Sequence, residues 1–206
     1  MSPELAIPVF LILLASLSVH EAAHAWAANK LGDPTARLLG RLTLNPLAHI
    51  DWIGTVAFPI ILALSNLPVF GWAKPVPVDM RNLQSPRRDF ALVALAGPVS
   101  NVVLAAGFIL LLQAQGGFVP ETGFTSTTAV LYTAILLNLI LAAFNMLPIP
   151  PLDGGNVLAG LLPESMARVV DQVRPFGAFV ILGLFLMGAL DYLYDPIRRL
   201  LGTLLL

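Results

Sequence analysis

The chain of 206 residues is 57% hydrophobic and only 11% charged, with a mean hydropathy of +0.84, and these values exclude an ordinary water-soluble domain. The net charge of −1 gives no reason to expect nucleic-acid binding, and the absence of cysteine removes disulfides, thiol catalysis and thiolate metal sites. The composition therefore predicts a membrane protein in which His, Asp and Glu are the available metal ligands.

Four apolar stretches are long enough to cross a hydrocarbon core of roughly 30 Å as helices, at about 20 residues each. They cover residues 5–29, 90–113, 129–147 and 176–194. We predict an all-α polytopic membrane protein with about four to six transmembrane helices. It is expected to form a single membrane-embedded domain over 1–206, with no PDZ or CBS domain.

A fifth apolar stretch, residues 52–68, is short and contains Pro59. Seven basic residues lie within 30–89, whereas 114–128 contains none. Because cytoplasmic loops near membrane spans are enriched in Lys and Arg, a loop that does not cross the membrane keeps all seven on the cytoplasmic face. We therefore predict a re-entrant or β-hairpin loop after the first helix, with the N-terminus outside. The alternative is that 52–68 spans the membrane.

The first stretch contains His20-Glu21-Ala22-Ala23-His24, an H-E-x-x-H motif. Residues four apart share one helix face, so both imidazoles can face one metal ion while Glu21 projects toward the attacking water. Three ionisable groups in five residues of a span are costly unless a metal compensates them. The motif therefore predicts a catalytic zinc site. The alternative is a set of interhelical hydrogen bonds, with Glu21 paired to a loop arginine.

A catalytic zinc also needs a third protein ligand and one open position. Asp153 follows the third long stretch, in the sequence Pro-Pro-Leu-Asp-Gly-Gly. Local sequence alone favours an ordinary Asp-Gly turn at this place. His49 and Asp51 are rival ligands, so these residues by themselves leave the third ligand open.

Several other polar positions have two interpretations. Asn101 follows Gly97-Pro98 in an apolar stretch, and its amide could either hold a scissile carbonyl oxygen or bond a neighbouring helix. Asn145 lies near a helix end, where capping explains it. The Lys74–Val78 segment alternates with proline, so it could accept an unwound substrate as an edge strand or form a rigid loop.

The chain resembles the site-2 protease family of intramembrane zinc metalloproteases, peptidase family M50, in its compact bacterial form without a PDZ domain. The matching motifs are H-E-x-x-H at 20–24, G-P-x-x-N at 97–101, Leu152-Asp153-Gly154, and the loop sequences at 45–51 and 71–78. One departure is the sequence Pro-Pro-Leu-Asp-Gly, where many members have Asn-Pro-Asp-Gly.

This resemblance implies one zinc ion per chain, held by His20, His24 and Asp153, with Glu21 as general base and then general acid. It implies that Asn101 assists the oxyanion. The implied reaction is hydrolysis of peptide bonds in or near transmembrane segments of membrane-protein substrates, as in regulated intramembrane proteolysis. The implied location is a bacterial-type inner cell membrane, crossed several times, with the site near the cytoplasmic side.

Two other functions remain as alternatives. A membrane zinc protease of the prenyl-protein-processing type would take a downstream Glu as its third ligand, and the late Glu164 has no convincing setting for this. The other is a non-catalytic metal-binding membrane protein or transporter; transporters generally show internal symmetry, and no repeat is visible. The expected partners are transmembrane substrates and the lipid bilayer, and the sequence leaves the oligomeric state open.

Overall fold

The computed structural model describes residues 3–65, 71–116, 126–189 and 191–205. These residues are mainly helical and contain no β-strand, which confirms the predicted all-α fold. The α-helices of the described ranges are α1 (Pro3–Lys30), α2 (Thr35–Leu38), α3 (Phe58–Leu64), α4 (Pro86–Ala114), α5 (Ser126–Asn145), α6 (Asp153–Leu161), α7 (Glu164–Val173), α8 (Gly177–Leu186) and α9 (Asp191–Leu205).

Four helical segments are long and apolar enough to cross a membrane: Ile7–Lys30, Pro86–Ala114, Thr127–Asn145 and Glu164–Leu186. The first three coincide with predicted stretches. The chain is therefore a multi-pass membrane protein.

The fourth segment lies earlier in the chain than the predicted stretch 176–194. Its helix ends because Gly188 adopts a left-handed conformation with φ of 72°. Residues with a Cβ rarely adopt this conformation, whereas glycine does so readily. The amides of Gly188 and Ala189 donate back to the carbonyls of Phe185 and Leu184, closing the last helical turn. Hydropathy had joined apolar residues on both sides of this turn into one stretch.

The apolar stretch 52–68 is helical over Trp52–Leu64 as far as it is described, first as a π-helical turn and then as α3. At about 1.5 Å per residue, the described helix is roughly 20 Å long, which is shorter than a hydrocarbon core of roughly 30 Å. The carboxylate of Asp51 caps it by accepting from the amides of Ile53 and Gly54 at 3.0 and 2.7 Å. The β-hairpin form of the loop is not found in 30–65 or 71–89. A short helix is compatible with the predicted re-entrant loop, whose membrane sidedness stays a prediction.

The topology can be tested with single cysteines at Leu38 and Arg81, two exposed positions on either side of the short helix. If the loop is re-entrant, a membrane-impermeant thiol reagent should label both cysteines from the cytoplasmic face only. Labelling from opposite faces would show instead that 52–68 crosses the membrane. The natural chain has no cysteine, so the background is clean.

The long helix α4 is the centre of the bundle and packs against α1, α5 and α6. On its α1 side, Val93 packs against Ala27 and Ala28, whose small side chains let the two helices approach closely. Toward its other end, Ala105 and Leu112 form a buried cluster with residues of α5 and α9. This arrangement places the middle of α4 directly beside the H-E-x-x-H motif of α1.

Candidate metal centre

Asp153, which is distant in sequence from His20 and His24, meets these two histidines between α1, α4 and α6. Nε2 of His20 and Nε2 of His24 lie 3.0 Å apart on α1, and both side chains are buried. Oδ2 of Asp153, the first residue of α6, lies 3.1 Å from Nε2 of His20 and 3.4 Å from Nε2 of His24. The three ligand atoms lie within 4.8 Å of one another, so the group could hold a metal ion.

The hydrogen bonds behind the imidazoles show that this group fits a cation. Nδ1 of His20 lies 2.7 Å from Oδ1 of Asn101, and Nδ1 of His24 lies 2.7 Å from the carbonyl oxygen of Val93. Because both partners are acceptors, both Nδ1 atoms donate and both Nε2 atoms present lone pairs. Oδ2 of Asp153 is buried and has no hydrogen-bond partner in the described part of the chain. Three electron-rich atoms at this spacing repel one another unless a cation lies among them.

Two nitrogens and one carboxylate oxygen form a ligand set that suits zinc and leaves a fourth position open. The peptide chain shapes this site through Gly97 of α4. A Cβ at Gly97 would lie 2.4 Å from Nε2 of His24 and 2.6 Å from Nε2 of His20. Only glycine therefore lets α4 lie this close to the Nε2 atoms of the two histidines. This explains the first position of the G-P-x-x-N motif.

Asp153 reaches the site because the chain turns sharply after α5 and starts α6 at this residue. The turn is tight: a Cβ at Gly154 would lie only 2.3 Å from the carbonyl oxygen of Met146. Arg87 of α4 then holds α6 by donating from Nη2 to the carbonyl oxygen of Ala159 at 2.7 Å. The predicted juxtaposition of Asp153 with the H-E-x-x-H motif is what the fold produces.

Glu21 is buried next to the three ligands, and its Oε2 accepts a hydrogen bond of 3.1 Å from the amide of Val76. Val76 belongs to residues 71–79, which we call the covering segment. This segment forms neither helix nor strand, and its last residue, Asp79, has extended backbone dihedrals. Its Lys74 is held on both sides, since the amide donates to the carbonyl oxygen of His49 at 2.9 Å and the carbonyl accepts from Arg41. The segment therefore lies across the site and is fixed there.

Charged groups anchor the covering segment at Lys74, through Arg41, and at its last residue, Asp79, through Asp33. Burial lowers the pKa of the Arg41 guanidinium, and the negative charge of Glu21 opposes that change. Asp33 accepts from the amide of Asp79 at 2.8 Å and from Nδ2 of Asn82 at 2.9 Å. Burial alone would raise the pKa of Asp33, but these hydrogen bonds and those from Thr35 outweigh it and lower the pKa. The Asp33 anchor is therefore ionised at neutral pH.

The site opens into a cavity of about 390 Å³. Its walls include the proposed ligands, Glu21, the covering segment and the end of α5, among them Trp72, Val76, Phe144 and Asn145. Asn145 is the last residue of α5, from which the chain turns to Asp153. Its Nδ2 donates to the carbonyl oxygen of Leu141 at 3.0 Å, which fits the capping interpretation, and the residue also lines the cavity. Its place just before the turn that carries Asp153 is the signal that could have revealed this.

Asn101 lies behind the ligands, away from the cavity wall. It is fully buried, its Oδ1 pairs with Nδ1 of His20, and its Nδ2 donates to Oδ1 of Asn138 at 2.9 Å. Both ends of its amide are therefore engaged by the protein. Asn138 was not singled out in the sequence, where one Asn in an apolar helix carries no signal of a long-range partner.

The rival ligands lie outside the group. His49 is buried but pairs through Nε2 with the carbonyl oxygen of Thr43 at 2.9 Å, and Asp51 caps the short helix. Glu164, the ligand that a prenyl-protein protease would need, begins α7 and lies 3.6 Å from the guanidinium of Arg168 at an exposed position. None of these three residues joins His20 and His24.

Comparison with known proteins supports the same chemistry. Residues 119–188 match the family model described as Peptidase family M50. YwhC of Bacillus subtilis, which carries a zinc metalloprotease name, is 40% identical over 187 residues, covering 89% of this chain and 82% of YwhC. Rip2 of Mycolicibacterium smegmatis, which also carries a zinc metalloprotease name, is 31% identical over 192 residues, covering 89% of this chain and 70% of Rip2. No solved structure shows a significant match.

A third relative is the zinc metalloprotease MJ0392 of Methanocaldococcus jannaschii, which is 26% identical over 157 residues, or 76% of this chain and 35% of that protein. The apolar helices, the buried group of two histidines and one aspartate, and these relatives define a membrane zinc metalloprotease, a hydrolase of peptide bonds. The chain belongs to peptidase family M50.

Proposed function

We propose that this protease hydrolyses peptide bonds in or near the transmembrane segments of membrane-protein substrates, as in regulated intramembrane proteolysis. The observation that carries the proposal is the depth of the site. His20, Glu21 and His24 lie inside the candidate span Ile7–Lys30. Counting from Lys30 at about 1.5 Å per residue puts His24 roughly 9 Å and His20 roughly 15 Å below the helix end. A peptide bond that reaches these residues belongs to a segment at membrane depth.

We also propose that Lys30 marks the cytoplasmic end of α1, so that the site lies near the cytoplasmic side of a bacterial-type inner cell membrane. The support is the distribution of basic residues, which are concentrated in 30–89 and lacking in 114–128. The loop that carries the covering segment then reaches the site from the cytoplasm. Water can follow the same route into the cavity.

His20, His24 and Asp153 are the proposed zinc ligands. Zinc, when bound there, supplies Lewis-acid polarisation and lowers the pKa of water. Glu21 is placed to accept a proton from the attacking water and to deliver it to the leaving nitrogen. In the structure its Oε2 accepts from the amide of Val76, and a carboxylate can keep such a bond while it accepts another from the reacting water.

The covering segment is the proposed receiving surface for an unwound substrate. It is neither helix nor strand, its Trp72, Pro75 and Val76 line the cavity, and the amide of Val76 contacts Glu21. A helical substrate shields its peptide bonds, so pairing with an extended segment would favour the unwound form. The alternative function, a rigid loop that only closes the site, is favoured by the hydrogen bonds that hold the segment at Lys74 and at Asp79.

Asn145 is the proposed donor to the scissile carbonyl oxygen, since it faces the cavity and Asn101 does not line its wall. Asn145→Ala should lower kcat by roughly 10²–10³-fold, as expected for loss of one oxyanion donor, while zinc stays bound. The measurement is steady-state cleavage together with metal analysis of the purified variant. Wild-type kcat in Asn145→Ala would remove this role, and loss of zinc would show a structural one.

The proposed function is tested by comparing membrane proteins that accumulate beside the wild-type enzyme and beside Glu21→Gln. Proteins held only by the variant are candidate substrates, and sequencing the product termini made by the wild-type enzyme locates the cleaved bonds. Cleavage within or at the edge of a transmembrane segment is the expected result. Cleavage confined to soluble or lipid-modified tails would contradict the intramembrane proposal and favour the prenyl-processing alternative.

A further inference from the structure

A line of buried polar side chains crosses the helix bundle and ends on His20; we call it the polar relay. Asn138 of α5 and Asn101 of α4 have 0% exposure, and Ser16 of α1 has 2%. Nδ2 of Asn138 donates to Oγ of Ser16 at 3.0 Å, and Nδ2 of Asn101 donates to Oδ1 of Asn138 at 2.9 Å. Oδ1 of Asn101 then accepts from Nδ1 of His20 at 2.7 Å.

The direction of this relay is set at its far end. Nδ2 of Asn138 also donates to the carbonyl oxygen of Ala134, one turn earlier in α5, at 2.9 Å. A carbonyl oxygen can only accept, so Asn138 has to turn its NH₂ group toward Ala134 and its Oδ1 toward Asn101. Asn101 must then offer its NH₂ group to Asn138 and its own oxygen to His20. Each amide orientation thereby determines the next.

The consequence at His20 is a single tautomer. Facing an oxygen of Asn101, Nδ1 has to carry the proton, and Nε2 keeps its lone pair toward His24 and Asp153. Metal-bound histidines generally need such a partner on the other ring nitrogen, and its loss typically costs about 10–100-fold in metal affinity. Helix packing alone would not require the relay to end on a ligand.

We propose that Asn138 is a positioning residue for the metal centre, acting through Asn101 to fix the tautomer and ring orientation of His20. This inference rests on the ligand assignment proposed above and assigns a role to α5, a helix that contributes none of the three ligands. Two side-chain amides buried between helices are costly unless they are hydrogen-bonded. In the relay, Oδ1 and Nδ2 of both Asn101 and Asn138 have hydrogen-bond partners.

The test uses purified protein stripped of metal with a chelator. Zinc affinity is measured by competition with a chromophoric chelator, and Co²⁺ is added separately to record the absorption spectrum of the site. Asn138→Leu should bind zinc about 10–100-fold more weakly and give an altered Co²⁺ spectrum. The matched control is Thr133→Val on the same helix, which removes only a hydroxyl that bonds the carbonyl oxygen of Ala129. Its zinc affinity should stay within about twofold of the wild type.

Wild-type zinc affinity and Co²⁺ spectrum in Asn138→Leu would overturn the proposal. If that variant lacks the helical content of the wild type by circular dichroism, Asn138→Ala decides, because it removes the same amide without adding bulk beside Asn101. A separate arm, His20→Ala, tests the ligand assignment itself. If His20→Ala keeps wild-type zinc affinity, the assignment fails; if it loses zinc while the Asn138 variants do not, only the relay fails.

Discussion

Glu21→Gln should abolish peptide-bond hydrolysis while about one equivalent of zinc stays bound. Glutamine has nearly the same shape and can still accept the hydrogen bond from the amide of Val76, so the covering segment should keep its place. Its amide cannot take a proton from water at neutral pH, however, and general acid–base catalysis is worth about 10²–10⁴-fold or more. Glu21 does not belong to the metal-ligand group of His20, His24 and Asp153, so the zinc content of the variant should not fall.

The measurement combines metal analysis of purified Glu21→Gln with cleavage of a reporter that carries one transmembrane helix. A suitable control is Glu164→Gln, since Glu164 is exposed on α7 and its ion pair is with Arg168 of the same helix. The control should cleave at the wild-type rate. Turnover by Glu21→Gln at the wild-type rate would rule out the proton-transfer role assigned to this carboxylate.

Asp153→Asn should lower zinc affinity and activity together. The neutral amide oxygen is a weaker donor than a carboxylate, and it leaves the positive charge of the metal less compensated in a buried site. The loss should exceed the roughly 10–100-fold that removal of an outer hydrogen-bond partner costs, because a direct ligand is changed. The buried and unpartnered Oδ2 of Asp153, 3.1 Å from Nε2 of His20, is the structural basis of this expectation.

His49→Ala is the matched comparison for Asp153→Asn. His49 was the rival ligand, yet it pairs with the carbonyl oxygen of Thr43 and lies outside the metal-ligand group. This variant should keep about one equivalent of zinc in equilibrium dialysis. If the Asp153 variant keeps its zinc and the His49 variant loses it, the loop after α1 supplies the third ligand and the proposed set is wrong.

Features that depend on residues close together in the sequence could be predicted from it. The spacing of His20 and His24 places both on one face of any helix, and three of the predicted apolar stretches coincide with long apolar helices of the structure. The fourth span was displaced because hydropathy does not register the left-handed turn at Gly188. The sequence also could not decide between the two interpretations of Asn101, since an amide in an apolar helix has the same local signal on any face.

The sequence by itself determined that this protein lies in a membrane and carries a two-histidine metal motif with an adjacent carboxylate, because hydropathy and helical spacing are local properties. Only the tertiary structure decided that Asp153 joins the histidines, that Gly97 admits their imidazoles, and that the amide of Val76 lies on Glu21. It likewise linked Asn138 to the metal centre. These contacts depend on how the helices rotate and pack against one another, and that arrangement is a property of the whole bundle rather than of any one segment.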